Sequence, residues 1–258
     1  MDERYIRTRM IMGDIALDRL WNSRVAVFGV GGVGGYVVEA LARCGVGHID
    51  IIDDDKVCLS NLNRQIIATE QTLGMHKTDA AEERIRSINP KISVTKHRCF
   101  YLPDGRSIKD RDTIAEDIDF SVFDYIIDAV DTVTAKIGII VEAKKLGIPV
   151  ISVMGCGNRL DPTQLKVADI YETKNDALSK IMRKELRKRG INSLKAVFST
   201  EEAIKPENMT QNIDAEENKA QHTRRSTPGS AVFVPAAAGL IAASVVCREL
   251  AESQSRKD

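Results

Sequence analysis

Cysteine is sparse in this 258-residue chain, and its five copies never form a C-x-x-C pair. Structural zinc sites use closely spaced cysteines and histidines, so this absence argues against a tetrahedral zinc centre. The odd number of cysteines, and an opening segment MDERYIRTRM too charged for a secretory leader, favour a reducing compartment. We therefore expect a cytoplasmic protein.

Net charge is also absent, because Lys and Arg total 37 and Asp and Glu total 37. The overall balance says nothing about partners, and only the local distribution of charge is informative. Aromatic residues make up 5% of the chain, so few side chains are available to stack on nucleic-acid bases. The candidates for stacking are Tyr101, Tyr171 and Phe233.

Long hydrophobic runs are lacking, with one borderline exception at residues 231–247. This run carries no charge, but it is rich in alanine and Pro235 is predicted to interrupt it. A bilayer span needs about 17–25 apolar residues, so the run lies at the lower edge of that range. We expect a buried core helix or dimer-interface helix, and no stable membrane insertion.

Strand and helix patterns alternate along the chain. Strands are predicted over 24–30, 48–54, 92–97, 125–131, 149–154, 165–171 and 195–200. One helix or two are predicted over 4–22, and single helices over 33–45, 77–89, 134–147 and 176–191. Such alternation is typical of an α/β fold with a doubly wound, mainly parallel, Rossmann-like sheet.

We expect a single domain over residues 1–258. Its parts are a helical arm (1–23), a nucleotide-binding core (24–160), a basic insert with a mobile loop (161–230) and a C-terminal helix (231–258).

Four glycines, Gly29, Gly31, Gly32 and Gly34, stand between the first predicted strand and the first helix of the core. Glycines at this place allow a tight turn and bring a helix N-terminus close to a phosphate. Asp53 follows 24 residues after Gly29, at the end of the second strand, where a carboxylate can hold a ribose hydroxyl. We predict a nucleotide site, with close strand–helix packing alone as the alternative.

The segment after Asp53 is polar and cationic, and it includes Asp55, Asn61, Asn63, Arg64, Gln65 and Lys77. Nicotinamide pockets need few charges, whereas cations beside a nucleotide suit phosphate chemistry. Asp131 just past the fourth strand belongs to the same carboxyl edge, where it can hold Mg²⁺ that bridges phosphates. Taken singly, Arg64 and Lys77 also fit solvated surface charges, and Asp131 fits a helix cap.

Four motifs, GVGGVG, DDDKVCLSNLNRQ, GMHKTDAA and IIDAVDT, resemble the ubiquitin-activating-enzyme-like adenylating family in order and spacing. The resemblance implies an ATP-dependent adenylating enzyme of the ligase type, which joins a carboxylate to AMP and releases pyrophosphate. It implies that Asp53 holds the ribose, that Asn61, Arg64 and Lys77 surround the triphosphate, and that Asp131 binds Mg²⁺. Which of the three consecutive aspartates from Asp53 holds the ribose stays open.

The resemblance also implies that Arg7 reaches into the ATP site of a partner subunit, and hence that the protein is a homodimer. The candidate nucleotide-binding residues are Gly29, Gly31, Gly32, Gly34, Asp53, Asp55, Asn61, Arg64, Gln65 and Lys77. The candidate catalytic residues are Arg7, Arg64, Lys77 and Asp131.

Three later motifs, MGCGNRLDPTQLKVADIYET, MRKELRKRGI and TPGSAVFVPAAAGLIAASVV, resemble the tRNA threonylcarbamoyladenosine dehydratase subfamily. This subfamily adenylates the carboxylate of the threonylcarbamoyl adenosine in tRNA and closes it to a cyclic form, a net dehydration. The alternative is adenylation of the C-terminal carboxylate of a ubiquitin-like sulfur-carrier protein, against which the missing C-x-x-C pairs count. A nicotinamide oxidoreductase and a non-catalytic nucleotide sensor are further alternatives, and a sulfur-transfer or reductase partner protein is left open.

A basic stretch within the predicted helix 176–191 supports tRNA as the partner independently. Its cations, opposed by Glu185 alone, are Lys180, Arg183, Lys184, Arg187, Lys188 and Arg189. A stripe of this kind can follow a phosphate backbone, with an ordinary solvated helix face as the alternative. Arg224 and Arg225 are expected to add to the same surface.

The chain departs from its relatives at one position. They often carry a cysteine–proline pair where this sequence has Asp176-Ala177, so a mechanism that needs that thiol fails here. Cys156 lies after the fifth strand and is expected to be a buried, inert thiol. The cyclisation needs no thiol, because the carbamoyl group can attack the activated carboxyl within the same molecule.

Overall fold

The structure, a computed structural model, describes residues 2–103, 118–205 and 228–253. The strands are β1 (Arg24–Phe28), β2 (His48–Ile52), β3 (Ser93–His97), β4 (Tyr125–Asp128), β5 (Val150–Val153), β6 (Leu165–Asp169) and β7 (Lys195–Ser199). The α-helices are α1 (Ile6–Met12), α2 (Asp14–Asn22), α3 (Gly34–Cys44), α4 (Lys77–Ile88), α5 (Val133–Lys145), α6 (Ala177–Arg187) and α7 (Phe233–Glu252).

All seven strands form one sheet in the order β3-β2-β1-β4-β5-β7-β6. Every neighbouring pair is parallel except β6 and β7, which are antiparallel. The predicted α/β class with a mainly parallel, doubly wound sheet is confirmed. The predicted basic insert contributes β6, α6 and β7, so it extends the same sheet at one edge.

The two faces of the sheet are covered by different helices, and the alternation along β1 shows why. Val25 and Val27 point into a core shared with α3, α4 and α7, whereas Ala26 and Phe28 point into a core shared with α5 and α6. All four side chains are fully buried, as expected when helices cover both faces of a parallel sheet.

The bounds of several predicted elements differ from those in the structure. Residues 4–22, predicted to form one helix or two, form α1 and α2, which are separated at Gly13, whose φ of 84° is a conformation that favours glycine. The strand predicted over 125–131 ends at Asp128, so Asp131 lies in the loop before α5 rather than at a strand end. Helix α6 is also shorter than predicted and ends at Arg187.

Pro235 does not interrupt the C-terminal helix, which was a wrong prediction. It is the third residue of α7, and proline is tolerated in a first turn because the N–H groups there have no partner within the helix. Helix α7 is long and apolar enough to cross a membrane, but 56% of its most apolar window is buried inside the protein. It packs on α3 so closely that a methyl group on Gly239 would lie 2.4 Å from the carbonyl oxygen of Val33. This is the placement expected of a core helix.

The turn from β1 into α3 depends on a close backbone crossing. A methyl group built on Gly34 would lie 1.8 Å from the carbonyl oxygen of Gly29, whereas one built on Gly31 would meet nothing closer than 3.7 Å. We expect Gly34→Ala to lower the free energy of unfolding by at least about 3 kcal/mol, because the backbone must move apart. Gly31→Ala, the matched control, should change it by less than about 1 kcal/mol. Thermal unfolding checks both, and equal melting temperatures for the two variants would contradict the crossing.

Candidate active site

The glycine turn places the N-terminus of α3 at the carboxyl edge of the sheet. Gly29 has a φ of 83°, and its N–H donates to the carbonyl oxygen of Ile52, 2.8 Å away. The residue that precedes α3 is Val33, which provides no side-chain cap. The first N–H groups of a helix carry partial positive charge, so an uncapped start of this kind suits a phosphate.

Asp53 holds the glycine turn from the next strand. One carboxylate oxygen accepts the N–H of Val30 at 2.7 Å, and the other accepts the N–H of Asp55 at 2.9 Å. Each carboxylate oxygen has a second lone pair, which leaves capacity to accept ribose hydroxyls. Burial raises the pKa of Asp53 to about 6, and the Asp55 carboxylate adds to this, while Lys77 opposes it.

The segment SNLNRQ packs directly on the glycine turn. A methyl group built on Gly32 would lie 3.6 Å from Cγ of Arg64, and one built on Gly31 would lie 3.7 Å from Nε2 of Gln65. Gln65 is buried, and within the described residues its Oε1 has no hydrogen-bond partner. This buried carboxamide oxygen can accept a hydrogen bond from a hydroxyl or amine of a ligand bound beside the glycine turn.

Two other residues of this segment shape it. Asn61 is buried, and its Oδ1 accepts the N–H of Cys58 at 3.2 Å. The guanidinium of Arg64 donates to the carbonyl oxygen of Ser60 at 2.6 Å and to Oδ1 of Asn63 at 2.9 Å. These contacts use one nitrogen, Nη1, of a side chain that carries five N–H donors, so Arg64 has capacity to bind phosphate oxygens as well.

Lys77 brings a buried positive charge to the same place. Its Nζ lies 2.8 Å from Oδ2 of Asp55, and only 8% of its side chain is exposed. Burial opposes the charged form, but the carboxylates of Asp53 and Asp55 outweigh it and raise the pKa of Lys77. The amine is therefore charged when the site takes up an anionic ligand.

Oxygens of Asp53, Asp54 and Asp55 lie within 4.8 Å of one another. The ammonium of Lys77 already neutralises part of this cluster, and backbone N–H groups use both oxygens of Asp53. We therefore interpret these three carboxylates as groups that organise the loop rather than as ligands of a metal ion.

Asp131 lies in the exposed loop between β4 and α5, on the same edge as the glycine turn. A methyl group on Gly29 would touch the carbonyl oxygen of Ala129 at 2.9 Å, so this loop contacts the nucleotide turn. The Asp131 carboxylate accepts the hydroxyl of Thr132 at 3.2 Å. An exposed carboxylate beside a phosphate site fits Mg²⁺, which commonly takes one or two carboxylates and otherwise phosphates and water.

Arg7 and the basic helix are not brought to this cluster within one chain. Tyr5, two residues before Arg7, donates its hydroxyl to the carbonyl oxygen of Ala42 near the end of α3, at the amino edge of the sheet. Helix α6 covers the opposite face from α3 and α4. Arg224 and Arg225 lie outside the described residues.

The cations of α6 differ in their surroundings. Arg183 donates to the carbonyl oxygen of Thr173 at 3.0 Å and to its hydroxyl, so this side chain ties α6 to the preceding loop. Lys188 and Arg189 both pair with Glu185, and Arg187 lies 4.9 Å from the ring centroid of Tyr171. Lys180 and Lys184 are exposed and make no ion pair within the described residues.

The three aromatic candidates are also unequal. Tyr101 packs against Phe28 and Phe120, with ring centroids 5.4 Å away in both cases. Tyr171 donates its hydroxyl to the carbonyl oxygen of Ile191 at 2.5 Å. Phe233 is 57% exposed and is therefore the most accessible of the three.

Asp176, at the position where the resemblance implies a thiol, is a buried carboxylate. Asp176 caps α6 by accepting the N–H of Ser179 at 2.6 Å, and it lies 3.3 Å from the guanidinium of Arg159, which is also buried. The neighbouring Cys156 is a poor nucleophile, because burial raises its pKa to about 12. These two residues play structural roles in this chain.

Sequence reasoning missed a buried polar group beneath the Asp131 loop, formed by Asp128, Lys136 and Ser152. A signal was present: Lys136 falls on the face of α5 otherwise lined by Ala135, Ile139 and Ile140. A charge among apolar helix positions of this kind requires a buried partner.

The raised pKa of Asp53 makes stability depend on pH. The unfolded carboxyl loses its proton near pH 3.8 and the folded one near pH 6, so stability falls as pH rises through this window. Asp53→Asn should remove that part of the pH dependence. Between pH 4 and pH 7, its stability relative to the parent protein should rise by at most about 3 kcal/mol. Urea unfolding at both pH values measures this, and a difference independent of pH would contradict the assignment.

Comparison with known proteins agrees with this geometry. Residues 4–248 match the model of the ThiF family. A tRNA threonylcarbamoyladenosine dehydratase of Bacillus subtilis is 39% identical over 97% of this chain and 95% of its own length. Crystal structures of the Escherichia coli enzyme of that name, in complex with ATP and with AMP, are each 30% identical. They superpose with TM-scores of 0.78 and 0.79 and cover 96% of this chain and 93–94% of theirs. The family matches nearly the entire chain, and the chain belongs to the ThiF family.

Proposed function

We propose that this protein is an ATP-dependent tRNA threonylcarbamoyladenosine dehydratase. The observation that carries the proposal is the similarity to dehydratases of that name over nearly the whole of both chains, including a structure with ATP bound. The glycine turn, Arg64 and Lys77 supply a phosphate site of the required kind in this chain.

The reaction balances as two transfers. The substrate carboxylate attacks the α-phosphorus of ATP, the bond to the β-phosphate breaks, and pyrophosphate leaves. A nitrogen or the oxygen of the carbamoyl group then attacks the acyl carbon of the adenylate, a carbamoyl nitrogen loses its proton, and AMP leaves. The ring closes with loss of one water overall, and proximity within one molecule favours this second step.

The described side chains divide this work. Asp53 orients the nucleotide, because its carboxylate ties the glycine turn to the end of β2. Arg64 and Lys77 stabilise the negative charge that spreads over the phosphate oxygens. Asp131 would hold Mg²⁺, which would neutralise phosphate charge.

A homodimer completes the site in this proposal. Helices α1 and α2 expose large apolar residues in one region. The exposed fraction of the residue is 81% for Met10, 84% for Ile11 and 70% for Ile15. Exposed apolar groups gathered in this way mark a protein contact surface. Arg7 lies on α1, as do Met10 and Ile11. In this proposal a second copy packs on this face, and Arg7 reaches the ATP site of that copy.

The proposed reaction also has consequences for where tRNA binds and for the compartment in which the protein works. The tRNA would lie along α6, whose exposed cations suit its phosphates. A soluble, cytoplasmic protein meets both tRNA and ATP. Within the described residues we find no feature that favours a sulfur-transfer or reductase partner.

Removal of phosphate-binding charges tests the proposed chemistry. With ATP, Mg²⁺ and threonylcarbamoyl-modified tRNA, Arg64→Ala and Asp131→Ala should each lower AMP formation by about a hundredfold or more. Arg86→Ala and Glu83→Ala, at exposed positions of α4 away from the glycine turn and from the proposed dimer face, serve as matched controls. Mass spectrometry of the nucleoside should show the loss of one water. Parent protein that leaves the mass of the modified nucleoside unchanged would refute the proposal.

Charge reversal on α6 tests the tRNA surface. Lys180→Glu/Lys184→Glu should weaken tRNA binding at least tenfold in a filter-binding assay and reduce its dependence on salt, because phosphate contacts release counterions. ATP affinity should stay within about twofold, since the triphosphate site is elsewhere. The control Arg86→Glu/Lys91→Glu reverses equal charge on and next to α4, across the sheet. An equal loss of tRNA binding in both pairs would contradict a specific role for α6.

A further inference from the structure

Lys136 is among the largest fully buried side chains of the described residues, and the proposed chemistry does not use it. Burial of an isolated ammonium costs several kcal/mol, so a lysine with no exposed surface must be fully paired. Its position, one turn into α5 and five residues after Asp131, raises the question of what it holds.

The Nζ atom of Lys136 has three partners for its three hydrogens. It lies 3.0 Å from Oδ2 of Asp128, 2.7 Å from the carbonyl oxygen of Val153 and 3.3 Å from Oγ of Ser152. The hydroxyl of Ser152 in turn donates to Oδ2 of Asp128 at 2.5 Å. Asp128, Lys136 and Ser152 are all fully buried, so bulk solvent does not contact the network, and each hydrogen of the ammonium has a protein partner.

This network joins the two ends of the loop that carries Asp131. Asp128 ends β4, and its other carboxylate oxygen accepts the N–H of Val130 at 3.3 Å, at the start of the loop. Lys136 lies just beyond the other end of the loop, within α5. Ser152 pairs with Asp128 in the sheet register, so the neighbouring strand fixes the same carboxylate.

The loop held in this way contacts the glycine turn. Ala129 donates its N–H to the carbonyl oxygen of Phe28 at 2.8 Å, and its own carbonyl oxygen lies against Gly29. A displacement of the loop therefore moves Asp131 relative to the place where the phosphates bind.

We propose that Lys136 is a positioning residue for the adenylation reaction, which fixes the Asp131 loop against the glycine turn through its buried pair with Asp128. Apolar residues of similar volume often replace a buried ion pair with no loss of stability, so stability alone does not explain this one. A misplacement of about 1 Å at a reacting group can lower a rate about a hundredfold, which gives a fixed loop its value. The inference rests on the proposed function for its catalytic consequence, but not for the geometry of the loop.

The test uses the full-length double variant Lys136→Met/Asp128→Asn, which removes both charges together. Lys136→Met alone would leave a buried, unpaired carboxylate and is expected to fold poorly. Lys145→Met, at an exposed lysine of the same helix, is the control. The measurements are the melting temperature, amide hydrogen exchange at Val130, and kcat and KM for ATP in AMP formation with modified tRNA.

We expect the double variant to melt within a few degrees of the parent protein, with Val130 exchanging at least about tenfold faster. Its kcat should fall at least about tenfold while KM for ATP changes less than about threefold, because the nucleotide turn itself is intact. Unchanged exchange at Val130 would overturn the inference whatever the activity. Faster exchange with unchanged kcat would overturn its catalytic part. A parent protein inactive on modified tRNA would refute the proposed function, while exchange at Val130 would still decide whether Lys136 fixes the loop.

Discussion

The carbonyl oxygen of Gly29 and the Cα atom of Gly34 approach so closely that no side chain fits between them. This contact sets the angle at which β1 turns into α3, and it places the N-terminus of α3 at the carboxyl edge of the sheet. Asp53 reinforces the turn from β2 by accepting the N–H of Val30. The proposed phosphate site is thus first a property of the backbone, and the charged side chains lie around it.

The charges around the turn are held in place by contacts within the protein. Lys77 is buried between the carboxylates of Asp53 and Asp55, and Arg64 is held by the backbone of its own segment. Preorganised charges of this kind stabilise a transition state without a cost of reorganisation during the reaction. The buried pair of Lys136 and Asp128 extends the same principle to the loop that bears Asp131.

The sequence was sufficient to predict the fold and the local surroundings of the nucleotide turn, because both depend on short-range signals. Each of these signals involves residues that are near one another in the sequence. They are the glycine spacing, the alternation of strand and helix patterns, and the SNLNRQ motif. Tertiary contacts were beyond its reach. The partner of Arg183 is Thr173 rather than solvent, and the pairing of Asp176 with Arg159 joins residues that no local pattern connects. Pro235 was misjudged because its effect depends on its position within the helix.

The central claim is that side chains of both signs surround a triphosphate at the carboxyl edge of the sheet, so that a carboxylate can attack its α-phosphorus. A crystal structure of the protein with ATP and Mg²⁺ tests it most directly. The account predicts phosphate oxygens on the α3 N-terminus within hydrogen-bond distance of Arg64 and Lys77, and Mg²⁺ between the phosphates and Asp131. A nucleotide bound elsewhere, or one bound there with Arg64, Lys77 and Asp131 turned toward solvent, would contradict the account.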